Sequence, residues 1–273
     1  MAKAALRTPT IRDFIQAGYP CLFMPTIEAE VAKRRVEQAM TDLEMTNVQY
    51  GEWKATTGLH VARGLKGQKQ ERGQDLLEAL KFVESSKEPC VVLFHNVRQF
   101  VANYQVIQGF IDATMAARLH GSHVILLGPY LELPAELRNL VTYVDCPLPS
   151  RDAIAQKYKK MLAAYKDEIS KSLPKDQAEL EKLVLSAATA AVGLDMLGAE
   201  NALALSLATT ESVDVRVIQA QKEQEVRKSD VLEFISTDET LDDVGGFDVL
   251  KDWMHKRQRC FTDEARKFGL PYP

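Results

Sequence analysis

The chain has 273 residues, 46% apolar and 26% charged, which is material for one large domain or two small ones around a sizeable core. A formal net charge of −4 excludes a broad phosphate-binding face, which would carry a basic excess, and leaves room only for a local basic patch. The opening MAKAALRTPTIRDF has no apolar signal region and no stretch is long enough to span a bilayer, so the sequence reads as soluble and cytoplasmic, with no membrane partner.

Short apolar runs alternate with helix-period segments up to about residue 149. Residues 19–25 (YPCLFMP) predict a strand and 27–44 a helix. A second strand at 47–53 (NVQYGEW) is followed by a glycine- and lysine-rich loop, GLHVARGLKGQKQERG, and by a helix over 74–85. Residues 89–96 (PCVVLFHN) are apolar until the last two, as suits a strand buried on both faces. After a helix around 104–119, residues 123–127 (HVILL) predict a fourth strand, and a short helix at 134–139 leads into a fifth at 142–146 (TYVDC). This alternation predicts an α/β fold with a parallel, five-stranded, doubly wound sheet. Cys21, Cys90 and Cys146 fall in these apolar runs. With no C-x-x-C pair and no histidine at metal spacing, burial as free thiols in a reducing compartment is expected, not a disulfide or a metal site.

From residue 150 the pattern is helical only, with segments at 151–166, 177–192, 196–209 and 213–228. An acidic linker, 236–243, leads to a Gly-Gly turn, an amphipathic helix over 249–259 and a proline-punctuated exit. The expected division is an α/β subdomain over 1–149, a lid-like helical subdomain over 150–235, and a linker with the opening of a further module over 236–273.

The stretch DVGGFDVLKDWMHKRQRCFTDEARKFGLPYP resembles the opening segment of AAA+ ATPase domains. Its KRxRxFxxEARxFGLPxP pattern is most similar to a cyanobacterial and plastid subfamily of the hypothetical-chloroplast-frame type. ELPAELRNLVTYVDCPLPSRD resembles that type's sheet-to-lid junction, and GAENALALSL with VRKSDVLEF resembles its lid. The resemblance implies an AAA+-like fold with a C-terminal helical lid, and a homo-oligomer in the form of a ring or spiral such as a hexamer. It also implies an N-terminal AAA-like region that does not hydrolyse nucleotide. ATP and Mg²⁺ would then belong to a C-terminal ATPase module of the full-length parent, following Pro273. Asp243, Val244, Gly245 and Gly246 would contribute to the adenine pocket of that module.

The residues before Pro149 bear on this directly. A phosphate loop needs glycines for an anion cradle, a lysine for the β/γ-phosphates, and a Ser or Thr for Mg²⁺. Here the first strand runs into MPTIEAEVAKRR, with no glycine and no G-K-[ST]. Glu28 and Glu30 fall in the expected first helical turn behind Thr26 as N-cap, where a phosphate would meet carboxylates. The third strand ends in His95-Asn96 where paired carboxylates would hold Mg²⁺ and orient water. His95 could serve as a general base but reads better as a satisfied strand-end histidine. The fourth strand ends in Gly128-Pro129 where a polar sensor would stand. No catalytic residue, metal site or cofactor is therefore expected in this stretch.

Two features remain as partner contacts. Arg63, Lys66, Lys69 and Arg72, together with Lys54 and around Trp53, mark a loop that would contact an acidic polypeptide or a nucleic acid. A solvated hairpin is the plainer alternative. Arg138 lies near the position of an arginine finger, but the G-R-F-D pattern is missing, so surface packing or a salt bridge is the preferred reading. Two other functions stay open: a stand-alone adaptor or scaffold, and a nucleic-acid-binding module resting on the 63–72 loop.

Overall fold

The computed structural model describes residues 8–164, 174, 176–227, 243, 245–258, 260, 265 and 268–269. They fall into two units, Met1–Lys222 and Glu223–Pro273. The first opens with α1 (Ile11–Gln16), β1 (Cys21–Pro25), α2 (Ala29–Asp42) and β2 (Gln49–Lys54). It continues through β3 (Gly58–Arg63), β4 (Gln70–Gly73), α3 (Leu76–Ser85), β5 (Cys90–His95), α4 (Tyr104–His120), β6 (His123–Gly128) and β7 (Thr142–Tyr143). Helices α5 (Arg151–Ala164), α6 (Gln177–Ala191), α7 (Met196–Thr210) and α8 (Val215–Arg227) follow.

Among the described residues seven strands form one sheet in the order β4-β3-β2-β5-β6-β1-β7. The five expected strands are its parallel part, from β2 to β7. Strands β3 and β4 extend it antiparallel beyond β2, where the sequence reading placed a loop. Gly58, at φ +70°, makes the turn into β3 that a residue with a Cβ resists. Leu59 and Val61 of β3 are then buried against the sheet's core. The fifth strand is shorter than expected, pairing only at Leu22–Thr142 and Phe23–Tyr143. Residues 134–139 form turns in place of a helix: Leu137 N bonds Pro134 O and Leu140 N bonds Leu137 O, a three-residue spacing that does not propagate. The first helix, α1, escaped the sequence reading; Asp13 Oδ2 accepts from both the amide and the hydroxyl of Thr10, closing its start.

Period-2 alternation divides the sheet's side chains between two cores. Leu22, Met24, Tyr50, Leu93, Ile125 and Leu127 pack with α1 and α2 on one face. Phe23, Trp53, Phe94, Val124 and Leu126 pack with α3 and α4 on the other. Burial pushes the Cys21 thiol up to about 12, against a smaller opposing effect from Thr114, so it acts as a small hydrophobe. The helices from α5 onward have a third core of their own, built on Ile154, Tyr158, Val184, Leu203 and Ile218 with interleaved alanines. Tyr158 fixes α5 to α7 by donating its hydroxyl proton to Ala199 O at 2.9 Å.

In the second unit, α9 (Asp248–Gln258) presents Val249, Leu250, Trp253 and Met254 with exposures from 40% to 86%. Arg257 lies over the Trp253 ring at 4.7 Å. Residue 228 of the helix expected over 213–228, and the acidic linker expected over 236–243 up to residue 242, lie outside the described residues. Among the described residues no helix is long and apolar enough to cross a membrane.

Candidate functional site at the carboxyl edge of the sheet

In an open parallel sheet the strand carboxyl ends, near the point where the chain reverses its direction of travel, are where ligands bind. Here that edge is formed by the ends of β1, β6, β5 and β2. Thr26 N donates to Gly128 O at 2.9 Å and Asn96 N to Leu127 O at 2.8 Å, tying the ends together. Asn96 itself takes the left-handed conformation, φ 52°. The Thr26 hydroxyl accepts from Glu28 N at 3.0 Å. Helix α2 then begins at Ala29, with Glu28 and not Thr26 at its N-cap position and Glu30 in its first turn. Glu28 gives no side-chain cap to its own helix. Its carboxylate accepts from Leu197 N at 2.8 Å and Met196 N at 3.2 Å, at the start of α7.

Beside this turn lies a charge network on the α2 face. Along β2, alternation puts Tyr50, Glu52 and Lys54 on one side, and along α2 the spacing of Glu30, Lys33 and Glu37 lines one stripe. Lys33 Nζ meets Glu52 Oε2 at 2.8 Å, Lys54 Nζ meets Glu52 Oε1 at 3.0 Å and Glu30 Oε1 at 3.8 Å. Tyr50 donates to Glu37 Oε1 at 3.2 Å. His95, 6% exposed, brings Nε2 to 3.0 Å from Glu52 Oε1. Both of these atoms are buried. The His95 contact foremost, then Lys33 and Lys54, hold the Glu52 carboxyl well below the usual carboxylate range, against the upward push of burial. Burial alone would lower the Lys33 ammonium; the hydrogen bond and charge of Glu52, with Glu30 and Glu37 behind it, outweigh that and raise it.

Residues 8–146 match the family described as SpoVK-like AAA ATPase, N-terminal domain. The chain belongs to that family. The AAA-type protein ycf46, described as uncharacterized, is 25% identical in Trieres chinensis over 266 residues, covering 95% of this chain and 50% of that protein. The Guillardia theta ycf46 is 24% identical, covering 96% and 51%. The chain thus spans about half the length of the curated relatives it matches. C. elegans PCH-2 superposes with a TM-score of 0.47 at 11% identity, over 78% of this chain and 62% of that one. Domain III of Thermotoga maritima DnaA gives 0.45 at 13%, over 80% and 93%. At these scores the structural likeness carries no further weight.

For an AAA-type chain the group to test at this edge is a nucleotide triphosphate with Mg²⁺. The residues do not fit it. The turn after β1 carries no glycine nest and no lysine, and its Glu28 carboxylate already takes the α7 amides that an anion would seek. At the end of β5, His95 and Asn96 bring no anionic pair for a metal. The arrangement fixes elements to one another.

The partner-contact residues scatter. Trp53 is 1% exposed and donates its indole N–H to Gln74 O at 3.3 Å, so it is core and a partner would not touch it. Lys54 belongs to the charge network. Arg63 on β3 and Arg72 on β4 flank a shallow cleft of about 380 Å³, and Lys66 and Lys69 stand exposed on the connection between those strands. Arg63 meets Glu88 only at 3.7 Å, and Arg72 donates to Gln70 Oε1 at 2.8 Å. Arg138 is exposed and donates Nε to Leu133 O at 3.3 Å, a surface-packing role. Asp243, Gly245 and Gly246 lie in the second unit, Gly246 at φ +73°, and Val244 lies outside the described residues. The sequence reading missed Glu52, Lys33 and the destination of Glu28. The Y-x-E-x-K alternation on β2 was the available signal for Glu52, and the Glu30, Lys33, Glu37 spacing on α2 the one for Lys33.

Proposed function

We propose that this chain is the non-hydrolysing N-terminal AAA-like region of an AAA+ ATPase, serving assembly of a homo-oligomer and recognition of a partner. ATP binding and hydrolysis belong to a C-terminal module that continues the chain after Pro273, with Asp243, Val244, Gly245 and Gly246 joining that module's adenine pocket. The division into 1–149, 150–235 and 236–273 follows from the same reading, as does a cytoplasmic-type soluble compartment. The observation that carries the proposal is the turn after β1, which has no glycine and no lysine and whose Glu28 carboxylate accepts from two α7 amides. Support for the further module comes from the relatives, which are about twice as long as the stretch matched here. Partner recognition rests on the four exposed cations of the β3–β4 hairpin, Arg63, Lys66, Lys69 and Arg72, which suit an acidic polypeptide.

Titration calorimetry of this chain with magnesium-ATP tests the reading. No heat beyond dilution is expected at micromolar concentrations, whereas a saturable isotherm would refute it. The full-length parent, by the same reading, binds the nucleotide once per subunit.

A further inference from the structure

Helix α7 has its first turn saturated from two directions. A helix opens with four N–H groups that find no partner inside it. Ala199 N makes the helix's own first bond, to Asp195 O at 3.0 Å, and among the amides before it Gly198 N reaches Asp195 Oδ1 at 2.6 Å. The other two amides of that turn, Met196 N and Leu197 N, are taken by the two oxygens of Glu28, 168 and 169 positions earlier on the far side of the sheet-to-bundle junction. Glu28 stands beside the start of α2, whose own amides would welcome a carboxylate, yet its side chain caps nothing there. The sheet and the helices α5 to α7 nevertheless have separate cores and still fall within one compact unit.

We propose that Glu28 is a built-in latch. Its carboxylate is bound bidentately at the α7 N-terminus and fixes the helical bundle to the α/β part in a single pose, so the two move as one rigid body. This goes beyond the absence of hydrolysis, which needs only missing catalytic groups. A latched bundle cannot hinge over the strand ends in response to any arriving anion, and it transmits displacement of one part directly to the other.

Amide hydrogen exchange on the whole chain tests the latch. In Glu28→Ala, exchange at Met196 and Leu197 accelerates by about tenfold or more, the loss of charge-assisted bonds, while Ala202 and Leu203 in the same helix keep their protection. Glu28→Gln keeps the size but offers one acceptor oxygen, and accelerates the same two amides by a smaller factor. Wild-type rates at Met196 and Leu197 in both variants would overturn the proposal. So would acceleration spread evenly through Ala202 and Leu203, which would make Glu28 a general stabiliser of the bundle. No nucleotide enters this measurement, so it stands or falls apart from the calorimetry.

Discussion

At the scale of single residues, Glu52 decides more than any other side chain on the sheet's carboxyl edge. Removing it takes from the Lys33 ammonium its hydrogen-bonded counter-charge, leaving only the more distant Glu30 and Glu37, and takes from the buried His95 ring its 3.0 Å neighbour. Breaking a buried ion network from one side costs about 3 kcal/mol, and urea unfolding of Glu52→Ala should show a loss of that order. The pH dependence has a definite sign. The folded Glu52 carboxyl sits below its ordinary 4.5, so its contribution is complete above that value and drains away as pH falls through it toward the folded pKa. Acid unfolding curves of Glu52→Gln should therefore be flatter below about pH 4.5 than those of the wild type. Tyr50 works the other way: burial first, then the charge and hydrogen bond of Glu37, push its hydroxyl above the ordinary 10.0. That contribution is complete below the ordinary value and is lost as pH rises past it, so Tyr50→Phe should flatten the alkaline limb. An unchanged limb in either variant would remove the corresponding group from the account.

Among the elements, the β3–β4 hairpin is the one that the sequence reading took for a loop. A Cβ at Gly58 would stand 2.6 Å from Gly73 O in a backbone already at φ +70°, so Gly58→Ala should cost about 2 kcal/mol and raise exchange at the β3 amides first. Reversing charge at Lys66 and Lys69, both exposed on the connection, should weaken capture of an acidic polypeptide without shifting the unfolding midpoint; undiminished capture would leave those lysines merely solvated. Apart from α1, the helices and the five parallel strands were legible because apolar periodicity is a local signal, and their ends agree within a few residues. The hairpin was not legible, because lysines and glycines dominate its composition and only Leu59 and Val61 mark the buried side. The 134–139 segment misled in the opposite sense, with good helix formers spread over too few residues to propagate a helix. At the site, the carboxylates of the turn after β1 could be read from MPTIEAEVAKRR alone. The target of Glu28 could not, since it lies 168 residues away and depends on how the bundle docks.

For the whole molecule, the proposal is that an AAA-type α/β core with a helical bundle serves as a scaffold, with Glu28 joining the two. The second unit gives this an independent check. Trp253 is 51% exposed and Trp53 is 1% exposed, so acrylamide quenching of this chain reports mainly on α9. If the apolar face of α9 packs on the module that follows in the full-length parent, quenching of Trp253 should fall there to near that of Trp53. Equal quenching in both proteins would leave that face without the assigned partner. The most direct measurement for the central claim is a crystal of this chain grown with millimolar magnesium-ATP. The account predicts the Glu28 carboxylate still within hydrogen-bond distance of Leu197 N and no nucleotide density at the strand ends. Ordered phosphates beside Thr26, with Glu28 swung away from α7, would contradict it.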